Sequence, residues 1–302
     1  MTDLQPEPAP GPALLAAEST APVSARGDVW RRFRRNRLAV IGLVVLTLLV
    51  LAAILAPLIT FYDPAKLDPV LSRKPPSLKH WFGNDLLGRD LYTRVVYGSR
   101  VSLRVGIFSV VIALALGLTA GAAAGFYGRW IDSVLMRITD VFLAFPYILA
   151  AIAIITVLGR GEAAVIFVLG GLGWMSFARI FRSSILSIKE TEYIEAARAL
   201  GASNFRIIRR HLFPNAIQPV IVYATIFVGT AVLSEAALSF LGVGITEPKP
   251  AWGLMVAQGK SFLIGSPHML FFPGAAIFVT VMAFVFVGDG LRDALDPRLR
   301  GG

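Results

Sequence analysis

Two acidic side chains, Asp140 and Glu235, fall in or beside long apolar runs of this chain. A charge at the centre of a lipid bilayer costs about 2.5–3.5 kcal/mol on insertion scales, so each needs a partner, water or a proton. Arg137 precedes Asp140 by three residues and is placed for an i, i+3 ion pair at the inner interface. Glu235 has no cation near it in sequence, so it is expected to face the interior of a helix bundle. Lining a polar path, anchoring helices and relaying protons all stay open for it. The first two rank ahead, because one lone acid does not make a relay.

The familiar catalytic sets are missing. The chain has no Cys and only three His residues, His80, His211 and His268. That excludes a disulfide framework, a thiol nucleophile and a Cys-ligated zinc site. His-Glu-x-x-His and Gly-x-Ser-x-Gly are both absent. The stretch from Gly253 to Gly259, Lys260 and Ser261 imitates a phosphate-binding loop. It has five residues between its glycines where the phosphate cradle needs four, and no buried strand precedes it. No catalytic residue, metal or cofactor is therefore expected on this chain, and any ATP chemistry must come from another one.

Composition explains why. Of 302 residues, 56% are hydrophobic and 16% charged, with a mean hydropathy of +0.69. Soluble domains carry roughly 25% charged residues. An ordinary cytosolic enzyme of this length could not cover its surface. The net charge of +10 would suggest nucleic acid in a soluble chain. Here the arginines flank apolar runs, and the excess reads as the Lys/Arg bias that orients membrane proteins, with no nucleic-acid partner.

A spanning helix needs about 20 apolar residues. Six candidates meet or approach this: 38–60, 105–128, 141–159, 163–178 (extending past Arg179), 212–234 (continuing to about Gly244) and 269–288. The fold class expected is all-α and polytopic. Residues 1–25, rich in Pro and Ala, read as a disordered cytoplasmic tail. The apolar run after them is too long for a cleaved signal peptide, and Arg31-Arg32 reads as part of an inside anchor rather than a twin-arginine export signal. The remaining divisions are an anchor helix with an outer loop, 26–104, and a five-helix core, 105–302. With both termini inside, inner segments hold 18 of the 29 Lys/Arg residues. The first outer loop, 61–104, carries eight basic residues and fits this scheme badly.

Gly117, Gly121 and Gly125 recur at fours, which puts small residues on one helix face and allows close backbone approach. Residues 190–200 are good helix formers with acids first and Arg198 late. Ile194, Ala197 and Leu200 recur at threes as a narrow apolar stripe. Gly201 is placed as a helix stop. Ser203 is placed to cap a second helix, 204–212, which Pro214 ends. Such an elbow, within the inner loop 184–214, can pass a push from a soluble partner into the bundle; an amphipathic connector lying on lipid is the other reading of the same residues.

Glu195-Ala196-Ala197, then Gly201, then Leu212-x-Pro214 resembles the signature loop of binding-protein-dependent ABC importer permeases. Trp81-Phe-Gly83-Asn84-Asp85-Leu-Leu-Gly88-Arg89-Asp90, Thr139-Asp140-Val-Phe-Leu-Ala-Phe-Pro146 and Glu235-Ala-Ala-Leu-Ser-Phe-Leu-Gly242 are similar to its dipeptide/oligopeptide/nickel branch. Asn84 departs from that pattern, where Thr is the family's residue. The resemblance implies a type I ABC importer permease fold in the bacterial inner membrane. It implies a homologous permease partner, two ABC ATPase subunits that hold ATP and Mg, and an extracytoplasmic substrate-binding protein. Glu195, Ala196, Ala197, Leu200, Gly201, Leu212 and Pro214 would dock the ATPase. Glu235 and Ser239 would line or support the translocation path. Trp81, Asp85 and Trp252 would meet the binding protein. The solute expected is a di- or oligopeptide or a similar small polar molecule. An ion-coupled secondary transporter is the alternative, disfavoured by the lack of an internal repeat and of paired deep acids.

Overall fold

The computed structural model describes residues 25–295 of the protein. The tail assigned to residues 1–25 lies outside this range, apart from Ala25. Among the described residues there is no strand, only an isolated bridge between Asn84 and Asp90. Five helices are long and apolar enough to span a bilayer: α2 (Arg37–Ile59), α3 (Leu91–Tyr127), α6 (Glu162–Ile188), α10 (Gln218–Phe240) and α12 (His268–Leu295). The sixth crossing is a broken pair, α4 (Arg129–Leu143) and α5 (Tyr147–Leu158), bent by 88°. Pro146 sits at the break, where its ring and missing N–H stop α4 from running on. The straight span expected over 141–159 is therefore two helices with a corner.

Other boundaries move for identifiable reasons. Span two starts at Leu91, not 105, because the Asp90 carboxylate caps α3 by accepting from the Thr93 N–H at 2.8 Å. Its polar first turns hide from a hydropathy scan. At 37 residues α3 is about 55 Å long, well beyond the ~30 Å hydrocarbon core. The division placed at residue 104 thus falls inside one continuous helix. α6 runs past Arg179 to Ile188. α10 begins at Gln218, because residues 212–216 belong to the elbow instead.

The core is built on α3 and α6, with α10 closing one side and α12 lying between α10 and α2. Gly117, Gly121 and Gly125 are buried against α6. A methyl group added at Gly121 would fall 2.6 Å from the Ala178 carbonyl oxygen. The small-residue stripe is what lets two spanning backbones touch.

α2 carries Pro57, which removes the donor that the Ala53 carbonyl would use. Arg100 of α3 fills the gap: Nε donates to the Ala53 carbonyl and Nη2 to the Ile54 carbonyl, the latter at 3.0 Å. An arginine counted as an awkward outer charge is thus a replacement backbone donor. Arg100→Leu should destabilise the chain by about 1–3 kcal/mol, the cost of one unsatisfied buried carbonyl. Pro57→Ala should recover part of that loss, because it restores the helical donor. Unfolding in a denaturant series of single and double variants checks both statements.

Candidate functional site

The elbow between α6 and α10 starts at Thr191, which is extended, and proceeds through α7 (Glu192–Ala199) with Glu192 and Glu195 in its first turn. Negative charge there suits the positive end of the helix dipole. Ile194 is fully buried and pulls α7 onto the core, while Ala197 is half-buried. Leu200 is not a third core contact: it is 89% exposed. The stripe is broken because α7 ends at Ala199, and Leu200, already past the last helical residue, turns outward. Gly201 takes φ +78°. Its N–H reaches the Arg198 carbonyl at 2.9 Å and the Ala202 N–H reaches the Ala197 carbonyl at 3.0 Å, which together close a Schellman turn.

Ser203 then caps α8 (Asn204–Ile207) by accepting from the Arg206 N–H at 3.4 Å. The second helix does not stop at Pro214. A π turn over Ile208–Leu212 widens the spiral, and α9 (Phe213–Ala216) continues with Pro214 in its first turn. Widening by one residue accommodates a ring that has no N–H to donate. Ile207, Leu212 and Ala216 are fully buried and root the elbow in the bundle, so Leu212 is a root and not a docking residue. Phe213 packs edge-on against Phe181 of α6 at 5.7 Å. The base is also braced: Arg182 of α6 pairs with Asp132 of α4, and Lys189 Nζ donates to the Gly125 carbonyl at the end of α3, 3.2 Å.

What remains outside is compact. Glu195, Ala196, Gly201 and Pro214 are exposed, and with them Tyr193, Leu200 and Phe205. Tyr193 and Phe205 were missed by the sequence reading, which sought docking residues only in the signature positions. The arrangement has no nucleophile or base in working contact. It is a stiff, partly apolar knob rigidly tied to α3, α4 and α6, suited to transmitting displacement.

Residues 117–301 match the family described as the binding-protein-dependent transport system inner membrane component, and residues 24–76 match the N-terminal transmembrane domain of oligopeptide transport permease C. The chain is a member of this ABC importer permease family. Its similar relatives include the dipeptide transport system permease protein DppC of Alkalihalophilus pseudofirmus, 45% identical over 92% of this chain and 91% of that one. The glutathione transport system permease protein GsiD of Escherichia coli is 44% identical over 91% of each. A solved structure of the MetNI methionine ABC transporter, inward-facing, shares the fold over 67% of this chain and 97% of its own, with TM-score 0.55 and 23% identity. Permeases of this family are inner-membrane transport components rather than enzymes, and membership places ATPase subunits among this chain's partners.

In this permease Glu235 does not line a path within the chain. It is fully buried between α10 and α3, where the Ser239 hydroxyl donates to it at 2.7 Å and that of Ser102 at 3.3 Å. Ser239 is equally buried, and its Oγ accepts the Ile245 N–H at 3.0 Å. Both residues bind α3, α10 and the turn after α10 into one unit. Glu235→Gln should be tolerated, since the amide oxygen still accepts from Ser239 and the amide NH2 can donate to the Ser102 hydroxyl in place of the bond it replaces. Glu235→Ala should cost about 1–3 kcal/mol by leaving them unmatched. The comparison of melting in detergent tests this, and equal loss in both variants would contradict it.

Asp140 departs from expectation. Its partner is Arg179 of α6 at 2.6 Å, not Arg137. Both are well exposed, so the pair ties the bent α4 to α6 at little energetic gain.

On the outer side, two expected binding-protein contacts are sealed inside the permease. Trp252, which opens α11 (Trp252–Gly259), is 1% exposed and donates Nε1–H to the Val95 carbonyl at 2.8 Å. Asp85 is buried in an ion cluster: it meets Arg89 at 2.6 Å and Arg94 at 3.4 Å. Glu247, from the loop after α10, takes Arg89 at 2.8 Å and Arg94 at 3.2 Å and accepts from Gln258 at 2.8 Å. Burial alone would raise the Glu247 carboxyl, but the hydrogen bonds from Arg89 and Gln258 and the neighbouring guanidinium charges bring it below its ordinary value. Burial likewise opposes the charge on Arg89, and Glu247 and Asp85 outweigh it. This cluster accounts for Arg89 and Arg94, two of the eight basic residues of the loop. Of the three expected contacts, Trp81 is the one that stays half exposed.

Proposed function

We propose that this chain is one of two homologous permease subunits of an ATP-driven importer, moving di- or oligopeptides or a similar small polar solute into the cell. Two ABC ATPase subunits would bind ATP and Mg and grip the elbow around Glu195, Ala196, Ala197, Leu200 and Gly201. A substrate-binding protein would deliver solute to the outer face near Trp81. Both termini would lie in the cytoplasm, in line with the Lys/Arg bias. The observation that carries the reading is the elbow itself: exposed signature residues held on a rigid root. Support for the peptide class comes from the dipeptide and glutathione permeases to which the chain is similar.

By this mechanism nucleotide binding closes the ATPases, and their motion reaches the spans through α7, α8 and α9. Coupling is reciprocal, so loaded binding protein outside favours the ATP-closed state inside. The test is reconstitution of the full complex with its binding protein, followed by uptake of a labelled dipeptide. Uptake should need ATP, survive collapse of the proton gradient, and fail with an Ala197→Trp permease that no longer retains ATPase. Uptake that needs the proton gradient and no ATPase would overturn the proposal.

A further inference from the structure

The outer halves of α2 and α3 enclose a groove that the transport mechanism leaves unused. Its walls are apolar, with Val50 and Ile54 from α2 facing Val101 and Ile107 from α3. Arg100, Arg104 and Lys249 also line it. Against these three cations stands one carboxylate, Glu162, which meets Arg104 at 3.1 Å and Lys249 at 2.7 Å. Two positive charges are left over. Arg104 and Lys249 are each half exposed. Arg100 commits Nε and Nη2 to α2 carbonyls, and among the described residues nothing accepts from its Nη1. The Tyr97 ring lies 5.2 Å from its guanidinium carbon.

The groove opens on an apolar face that the chain's own fold leaves largely uncovered. α2 is the least buried of the spanning helices, with 17% of its apolar stretch covered, and Ile54 is exposed. An excess of cations beside an apolar slot between two spanning helices matches one kind of molecule: an acyl chain with an anionic head. A zwitterionic lipid would bring its own cation beside these basic groups, whereas an anionic one offsets their excess charge. We propose that this groove binds one anionic phospholipid of the outer leaflet. Its phosphate sits against Arg100, Arg104 and Lys249, and an acyl chain lies between α2 and α3. The lipid would hold the anchor helix α2 against α3 beside the Pro57 break.

The test uses the whole transporter complex in nanodiscs of phosphatidylcholine with or without phosphatidylglycerol, released for native mass spectrometry. One phosphatidylglycerol should stay with the wild-type permease. Arg104→Gln with Lys249→Gln should weaken its retention about 30-fold, since each basic residue near an anionic lipid surface is worth a factor of about five. These two positions spare Arg100, which also closes the α2 break. If that variant fails to assemble, Ile107→Trp fills the slot with the charges intact and should expel the lipid equally. Unchanged retention in either variant overturns the proposal. So does displacement by inorganic phosphate alone, which would make the site a simple anion site. Efficient cross-linking of an Ile107→Cys chain to another permease subunit, with no lipid retained, would show that protein fills the groove instead.

Discussion

A Gly201→Val permease should stay in the membrane but lose its ATPase and its transport. Gly201 sits at φ +78°, where a side chain at Cβ crowds the backbone. A Cβ there meets nothing within 4 Å, so the penalty is conformational and not a clash with a neighbour. Holding a non-glycine residue in this region costs about 1–3 kcal/mol, and a β-branched one belongs at the upper end. The chain escapes the cost by giving up the Schellman bonds to Ala197 and Arg198, which re-aims everything after α7. Leu200 and Phe205, the two most exposed apolar side chains of the elbow, would then no longer hold their present relation. Because each 1.4 kcal/mol is tenfold in an equilibrium, association with the ATPase should fall by about ten- to a hundredfold. Gly201→Asn should fall less, since Asn tolerates the left-handed region better than Val. Co-purification on a tagged permease reads the effect, with melting of the membrane part as control. A Val variant that brings down ATPase at wild-type yield, with normal transport, would sink the docking assignment.

The second large effect belongs to the outer ion cluster. Glu247→Ala would leave Arg89 and Arg94 buried with Asp85 as the sole anion, two cations against one. The guanidinium groups are buried but the Glu247 side chain is 35% exposed, so its removal should cost about 1–3 kcal/mol, less than the loss of a fully buried partner. The loop after α10 should detach from the start of α3, and both proteolysis of that loop and a lower melting point should reveal it. Glu247→Gln should lie between, because it keeps hydrogen bonding without the charge. The same carboxylate sets a pH dependence. Its folded value lies below the ordinary 4.5, so its contribution is complete above that value and is lost as pH falls through the folded value. Wild-type stability should therefore drop on the acid side of about 4.5, and the Gln variant should show a shallower drop. Parallel acid titrations of both proteins followed by melting give the comparison.

The elbow was legible in sequence because each part is a local rule. Acids precede Arg198 on one short helix, Gly201 stops it, and Ser203 starts the next. The glycine stripe at 117, 121 and 125 was legible for the same reason, a period of four on a long apolar helix. What failed were assignments that read a polar or aromatic residue in an outer motif as accessible. Trp252 and Asp85 carry conspicuous side chains, yet each is satisfied inside the fold. Leu212 failed similarly, since its place in a signature says nothing about which way a π turn aims it. The charge-heavy loop had a signal in its eight basic residues, but no local rule could name Glu247, 158 positions from Arg89, as the partner of Arg89 and Arg94.

The amino-acid sequence alone pointed to a chain that lives in a bilayer, crosses it about six times and carries a protruding elbow before its last two long apolar helices. These properties are sums or spacings over neighbouring residues: hydropathy, the Lys/Arg bias, helix stops and caps. Tertiary structure alone decided which polar groups are available and which are spent. Two donors of Arg100 are spent on α2 carbonyls beside Pro57, Glu235 is spent on two hydroxyls, and Arg94 on acids from two loops. In a low-dielectric interior every polar group must find a partner. The partner is chosen by distance in space, which the order of residues along the chain does not reveal.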